Sequence, residues 1–379
     1  MKIIIAPDSY KESLTAMEVA TAIENGFKQV LPSASYIKLP MADGGEGTVQ
    51  SLVDATGGRI INTAVTGPLG LPVDGFYGLL GDGSTAVIEM AAASGLHLVS
   101  PSQRNPLLTT TYGTGELVKA ALDAGAKHII VGIGGSATND GGMGMAQALG
   151  ARFVDSQGVE LGFGGGALAN LATIDLSGLD PRLQHIELEV ACDVDNPLCG
   201  SDGASQVFGP QKGASAEMVA QLDANLAHYA QVIYQTNGKQ VIDQPGAGAA
   251  GGLGAALMGL FAATLRPGIQ IVMDAVNFSQ VVKGADLVIT GEGRIDSQTI
   301  HGKTPIGVAR MAKQYQVPVI GIAGSLAKGC SVVHQHGLDA VYSVVLGATD
   351  LPTALQEAAF NVEMTARNIA ATLTMLSKK

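Results

Sequence analysis

The stretch 129–145, IIVGIGGSATNDGGMGM, decides how the chain is read. Ile129, Ile130, Val131 and Ile133 form an apolar run expected as a buried strand, and the glycines behind them a tight loop leading into a helix over 143–149. A strand, loop and helix in that order belong to an α/β sheet. Gly132, Gly134 and Gly135 lack a Cβ, so backbone there can approach a ligand closely, and the helix that follows offers unpaired N–H groups to an anion. Gly134, Gly135, Ser136, Thr138, Asn139, Gly141 and Gly142 are therefore the expected phosphate-binding residues.

Asp140 stands in the same loop, where a bare carboxylate would repel phosphate. A divalent cation between them removes the conflict, because Mg2+ takes oxygen ligands from one or two carboxylates plus substrate phosphates. Glycines beside carboxylates recur in ADGGEGT (42–48), CDVDNP (192–197) and TGEGRID (290–296), which favours nucleotide and Mg2+ chemistry.

Working outward, the chain opens on an apolar strand broken by Pro7 and Asp8, too short for a signal-peptide core. A helix over 15–30 carries Thr15 and Glu18 as a capping box, a strand follows at 36–39, and a helix over 48–55 ends at Gly57 and Gly58. This alternation is that of a parallel sheet covered by helices. Between 59 and 90 the style changes to strands at 59–65, 73–80 and 85–90, joined by GPLGLP and GDGS turns as antiparallel hairpins. Helices are expected over 115–124 and 216–236, and strands near 151–154 and 187–192.

From Asp286 the alternation returns: a strand at 286–290, a helix over 304–315 with Thr304 at the N-cap, strands at 317–323 and 340–345, and one helix over 352–375. Because the two ends share one style, the expected fold is α/β. A discontinuous Rossmann/flavodoxin-like domain from residues 1–65 and 285–379 would receive an inserted mixed α/β domain of residues 66–284, with the active site in the cleft between them. Ligand then belongs at the carboxyl ends of the parallel strands, where PDSYK (7–11) and TGEGRID lie.

Composition narrows the classes. With 22 Lys and Arg against 33 Asp and Glu, the formal charge of −11 argues against nucleic-acid and anionic-membrane surfaces. Cys192, Cys199 and Cys330 form no CxxC pair, so neither a disulfide framework nor a zinc ribbon is expected, and a reducing cytoplasm is the natural setting. The uncharged segment 246–265 holds six glycines, and its helical part of about a dozen residues would span roughly 20 Å, short of a ~30 Å bilayer core. No G-x-S-x-G elbow or H-E-x-x-H motif is present.

Several motifs supply candidate chemistry. Asp8 and Lys11 follow the first strand, and Asp43 and Glu46 open a helix among glycines as metal or hydroxyl ligands. In TGEGRIDSQTIHGKTP (290–305), Lys303 and Thr304 sit at a helix start as in a Walker A loop, but Ser297 occupies the first glycine position. Glu292 and Asp296 are in reach of the same ligand, as Mg2+ ligands or as a base. Lys212 lies between glycines in GPQKG (209–213) and suits a phosphate or carboxylate contact. Asp193 is favoured over Asp195 to point into a site, and His301, without a partner at metal spacing, is a substrate contact at most. A competing dinucleotide signature reads G132-I-G134-G-S-A137 with Asp155 at the end of the next strand as the ribose acid.

Taken together, PDSYKESLTA, ADGGEGT, GIGGSATNDGG, GPQKGA, GAGAAGGLGAA and TGEGRIDSQTIHGKTP closely resemble the bacterial glycerate kinase family of the first type, in order along the chain. Tyr10 stands where that pattern has Phe. The resemblance implies ATP and Mg2+ as cofactors, D-glycerate as the small-molecule substrate and, most often, its 2-hydroxyl as acceptor. Phosphoryl-transfer chemistry then points to Asp140, with Asp43 or Asp193, and to Glu292 as Mg2+ ligands, and to Lys11 and Lys303 for neutralising the transferred phosphoryl group. Asp296 or Asp193 takes the hydroxyl proton, while Arg294, His301, Asp8 and Lys212 bind substrate. Asp140→Asn is expected to depress turnover with the fold intact. Nucleic-acid or membrane partners are not expected, a homo-oligomer is open, and the alternatives are a nicotinamide-dependent oxidoreductase of a hydroxy acid and a non-catalytic organic-acid-binding protein.

Overall fold

The strand Lys2–Pro7 is apolar on both faces, with Ile3, Ile4 and Ile5 fully buried, as expected of a strand inside a helix-covered parallel sheet. The computed structural model describes residues 1–376. The chain folds as two compact units, one formed by Met1–Asp43, Gln50–Gly57 and the chain from Ile269 onward, the other by Gly44–Val49 and Gly58–Gly268.

In the first unit five parallel strands lie in the order Ala340–Ser343, Val319–Ala323, Leu287–Gly291, Lys2–Pro7, Ser35–Lys38. Numbered along the chain this is 2-1-3-4-5, the flavodoxin-like winding, whose order reverses between Lys2–Pro7 and Leu287–Gly291. Those two strands are in register with Pro7 opposite Gly291. The helix Ala16–Lys28 starts on the expected capping box, with Thr15 accepting from Glu18 N and Glu18 accepting from Thr15 N. It packs against Ala358–Leu376, and Gly26 is required there because a Cβ would collide with the Glu363 carbonyl.

Three expectations need correction in this unit. The closing helix is two, Leu351–Gln356 and Ala358–Leu376, broken at Glu357. The helix Thr304–Gln314 takes Lys303, not Thr304, at its N-cap. Residues 269–284, expected in the insert, belong here, whereas 59–65 do not.

The second unit holds a six-stranded sheet in the order Thr264–Arg266, Glu187–Ala191, His128–Gly132, Thr85–Glu89, Pro72–Leu79, Arg59–Thr66. The first four are parallel and the last two form the expected antiparallel hairpins. Ile129, Val131, Val190 and Leu117 share its core with Leu253 and Leu257. Residues 246–265 include a helix of Ala249–Leu260 interrupted by left-handed Ala250, Gly251 and Gly252, and no helix among the described residues is long and apolar enough to cross a membrane.

The dinucleotide signature fails in this unit. The strand that carries Asp155 at its end, Arg152–Val154, pairs antiparallel with Thr173–Asp175 outside the parallel sheet. Asp155 accepts from Gln157 N and Val159 N in its own turn, so its carboxylate serves that turn and not the ribose role.

Candidate active site

The strand reversal in the first unit places two acids side by side. Asp8 follows Pro7 and Glu292 follows Gly291, and Asp8 N donates to the Gly291 carbonyl at 2.8 Å. Asp8 Oδ2 accepts from Thr304 Oγ1 at 2.6 Å and Oδ1 from Ser9 N at 2.6 Å. Burial, followed by the Asp43 charge, pushes the half-buried Asp8 carboxyl up to about 7; the Thr304 and Ser9 hydrogen bonds oppose the shift, and Glu292 adds to it. A carboxyl that exchanges its proton near neutrality is suited to general acid–base work.

Glu292 is held differently. Its Oε1 accepts from Thr299 Oγ1 at 2.7 Å and its Oε2 from Lys303 Nζ at 3.2 Å. Burial raises its carboxyl, while Thr299 and Lys303 pull the other way. The loop that carries it is pinned where Arg294–Ile295 pairs in parallel with Ser325–Leu326. The neighbouring Tyr10 is buried, and its hydroxyl donates to the Ile322 carbonyl at 2.8 Å.

Around this centre, Asp296 is half-buried and accepts from Gln298 N at 2.8 Å, and Arg294 Nε lies 3.6 Å from its Oδ2. Arg294, His301 and Lys11 are exposed. Lys303 caps a helix of 11 residues whose first turn presents backbone N–H groups, a suitable place for an anion. The first unit thus gathers Asp8, Asp43, Glu292, Lys303 and Thr304.

The second unit changes the reading of the glycine loop. Gly134 and Gly135 are exposed, with Gly135 at φ 72°, and form an open rim. Behind them the chain turns inward. Gly141 and Gly142 are buried, and a Cβ there would strike Tyr229 and the Ala256 and Leu253 side chains, so these glycines serve close packing rather than approach to phosphate. Asn139 is buried with Nδ2 donating to Ser205 Oγ at 2.9 Å, and Thr138 is fully buried.

Asp140 is also fully buried. Its Oδ2 accepts from Thr111 N and Oγ1, each at 2.8 Å, and from Gly144 N at 3.3 Å, while Oδ1 accepts from Gly142 N at 3.1 Å. Burial raises its carboxyl and these donors lower it. With its oxygens engaged by protein, Asp140 does not fit the expected metal role; it organises the turn into the helix Met143–Ala148. Lys212, expected as a substrate contact, is buried too, donating to Ser136 Oγ and to the Thr138 carbonyl, each at 2.7 Å.

Asp193 is exposed at the end of Glu187–Ala191 and accepts from Gly268 N at 3.0 Å. Gly132 lies so close to the Gly44 carbonyl that a Cβ would collide with it, which brings the glycines of ADGGEGT against the carboxyl end of the central strand. Glu89, which no sequence motif marks, supports that loop: it is buried and accepts from Val49 N at 2.8 Å. The signal that could have found it is an acid closing the apolar run TAVIE, the same signal that marks Asp8. Thr304 reads in sequence as a cap and as the end of a Walker A-like loop, and its bond to Asp8 has no local signature.

The carboxylates differ in how well they suit Mg2+. Asp140 and Glu292 have both oxygens engaged by protein donors. Asp43 is half-buried and its charge raises the Asp8 carboxyl, so a cation beside this pair would offset their repulsion. Among the described residues, His128, Glu187 and Glu189 have ligand atoms within 4.8 Å of one another, but Arg266 Nη1 already lies 2.5 Å from Glu189. That group begins the strands, away from the glycine loops.

Comparison with known proteins agrees with the motifs. The family model described as the glycerate kinase family matches residues 3–374. The chain is 64% identical over 375 residues to a glycerate kinase of Bacillus subtilis (strain 168), covering 99% of this chain and 98% of the relative. It is 59% identical over 375 residues to a glycerate 2-kinase of Escherichia coli (strain K12), covering 99% and 98%. A crystal structure described as that of a putative glycerate kinase 2 from Salmonella typhimurium LT2 superposes with a TM-score of 0.93 at 61% identity over 100% of both chains.

Proposed function

The chain belongs to the glycerate kinase family, and on that premise we propose that it transfers the γ-phosphoryl group of ATP to D-glycerate, with the 2-hydroxyl as acceptor. The observation that carries the chemistry is Asp8, a carboxyl at the strand reversal that burial holds above its ordinary value and that Thr304 and Ser9 fix in place. It accepts the proton of the substrate hydroxyl, a role that the sequence alone assigns to Asp296 or Asp193. The proton moves from the hydroxyl to Asp8 Oδ as the oxygen bonds the γ-phosphorus, whose bond to the β–γ bridging oxygen breaks and leaves ADP.

Phosphoryl transfer asks the protein for positioning and for neutralisation of charge. Lys303, at the start of its helix, supplies positive charge, with Lys11 as the second cation. Arg294 takes the glycerate carboxylate and His301 lies in the same loop as a further contact. Gly134 and Gly135 are the part of the glycine loop open to ATP phosphates. Asp43 would hold Mg2+, whose chemistry is to neutralise phosphate oxygens. A cytoplasmic setting suits the three free cysteines.

The test is ADP release from ATP with D-glycerate, in Mg2+ and after chelation, with 31P NMR of the product. ADP formation that needs both glycerate and Mg2+, with a 2-phosphoglycerate resonance, supports the reading. A 3-phosphoglycerate resonance overturns the acceptor hydroxyl, and ADP release unaffected by chelation overturns the metal.

A further inference from the structure

Lys212 is 2% exposed, and its ammonium is already committed to the chain: Nζ donates to Ser136 Oγ and to the Thr138 carbonyl, each at 2.7 Å. Both acceptors belong to buried residues that follow the exposed Gly134 and Gly135 in the chain. We propose that Lys212 is a positioning residue that holds this glycine rim in its ATP-binding shape, acting through Ser136 and Thr138 and touching neither ATP nor glycerate. The inference rests on the reading of Gly134 and Gly135 as the nucleotide-facing part of the loop.

The rim needs holding. Gly134 and Gly135 have no side chains to anchor them, and a residue left free loses backbone entropy when a ligand fixes it. An anchor present before binding removes that cost. Main-chain contacts supply part of it: Leu96 N donates to the Gly135 carbonyl at 2.8 Å and Ala137 N to the Ser94 carbonyl at 2.9 Å. Thr109 Oγ1 donates to the Ala137 carbonyl at 2.9 Å. Lys212 adds the fixings on the residues either side of Ala137, one through a side chain and one through the backbone.

Delivery of the lysine is equally specific. The helix Ala204–Phe208 gives Ser205, which accepts from Asn139, and the turn Pro210–Lys212 that follows gives the lysine. Gly213, at φ 92°, closes the turn against the Arg104 carbonyl, where a Cβ would collide. One short segment thus grips the loop at Ser136, Thr138 and Asn139. Burying an ammonium is costly, and desolvation lowers Lys212 to about 7 while the nearby Asp140 charge works against that shift. An apolar residue would avoid that cost but could not bind two oxygens in different residues at once.

The test compares Lys212→Met, Ser136→Ala, the double variant and Gly134→Val in steady-state kinetics with ATP and glycerate varied separately, each variant checked by circular dichroism. A Cβ at Gly134 meets only the Gly45 Cα at 3.6 Å, an ordinary contact, so branching begins at the exposed rim. We expect Lys212→Met to raise the KM for ATP tenfold or more with the KM for glycerate within twofold. Ser136→Ala should raise the same constant by less, and the double variant should match Lys212→Met. A rise in the KM for glycerate, or a fall in kcat with the KM for ATP unchanged, overturns the proposal. If Lys212→Met does not fold, folded Ser136→Ala decides, and an unchanged KM for ATP there is equally fatal. Gly134→Val separates the two layers. If it weakens ATP while Lys212→Met does not, the positioning role fails. If neither weakens ATP, the reading of the rim as a nucleotide site fails with it.

Discussion

Thr304 and Asp8 are joined by a hydrogen bond of 2.6 Å, hydroxyl to carboxylate, although 296 residues separate them. The bond links the end of the first strand to the first turn of a helix near the other end of the chain. It also explains why Thr304 does not cap that helix: its hydroxyl is committed to the acid, and Lys303 takes the N-cap position.

Asp8→Asn removes the proposed base, so kcat should fall by about 10²-fold or more with the KM for ATP within a few fold. The same change should stabilise the protein at alkaline pH. The folded carboxyl sits near 7 against an ordinary 3.8, so stability contributed by this group is full below 3.8 and is lost as pH rises through 7. In chelator-treated protein, urea unfolding at pH 8 should show Asp8→Asn more stable than the parent by roughly 1–2 kcal/mol, the gain vanishing at pH 4. Equal stability at both values would remove the claim that Asp8 is held up.

Thr304→Val keeps the shape but deletes the donor that favours ionised Asp8. The carboxyl should move further upward, so the acid limb of kcat/KM should shift towards alkaline pH by about one unit. A pH–rate profile that overlays the parent would mean that Asp8 does not govern that limb.

Asp140→Asn should fail as a folding variant before it fails as an enzyme. Its amide nitrogen would face donors from Thr111 or the glycine backbone in a fully buried position, at a cost of roughly 2–4 kcal/mol. The urea midpoint should drop steeply. Parental stability with lost turnover would restore the metal role that the glycine loop suggests in sequence.

Glu89→Ala should destabilise by about 1–2 kcal/mol, because Val49 N loses its acceptor at the start of the helix Thr48–Thr56. Glu89→Gln, which keeps an acceptor oxygen, should cost less. Denaturant titration of both variants distinguishes this capping role from a catalytic one, in which the order of the two would show in kcat instead.

Legibility followed the range of the interactions. The capping box of Thr15 and Glu18, the hairpins after Arg59 and the strand at 129–132 were readable because each depends on neighbours a few residues apart. The acids of PDSYK and TGEGRID were readable as site candidates because acids after apolar strands lie at strand ends. The burial of Asp140 and Lys212 was not readable, for the opposite reason: a charged residue among glycines looks the same in sequence whether it faces solvent or interior.

By itself, the amino-acid order determined the α/β alternation, the strand-end positions of Asp8 and Glu292, and the motifs that mark the family, since periodicity and turn chemistry are local properties of the chain. Only the tertiary structure decided that Thr304 meets Asp8, that Lys212 and Asp140 face inward, and that two glycines of the loop stay open while the next two are packed away. Burial and through-space charge arise from segments hundreds of residues apart coming together, and they set which carboxyl holds its proton near neutrality.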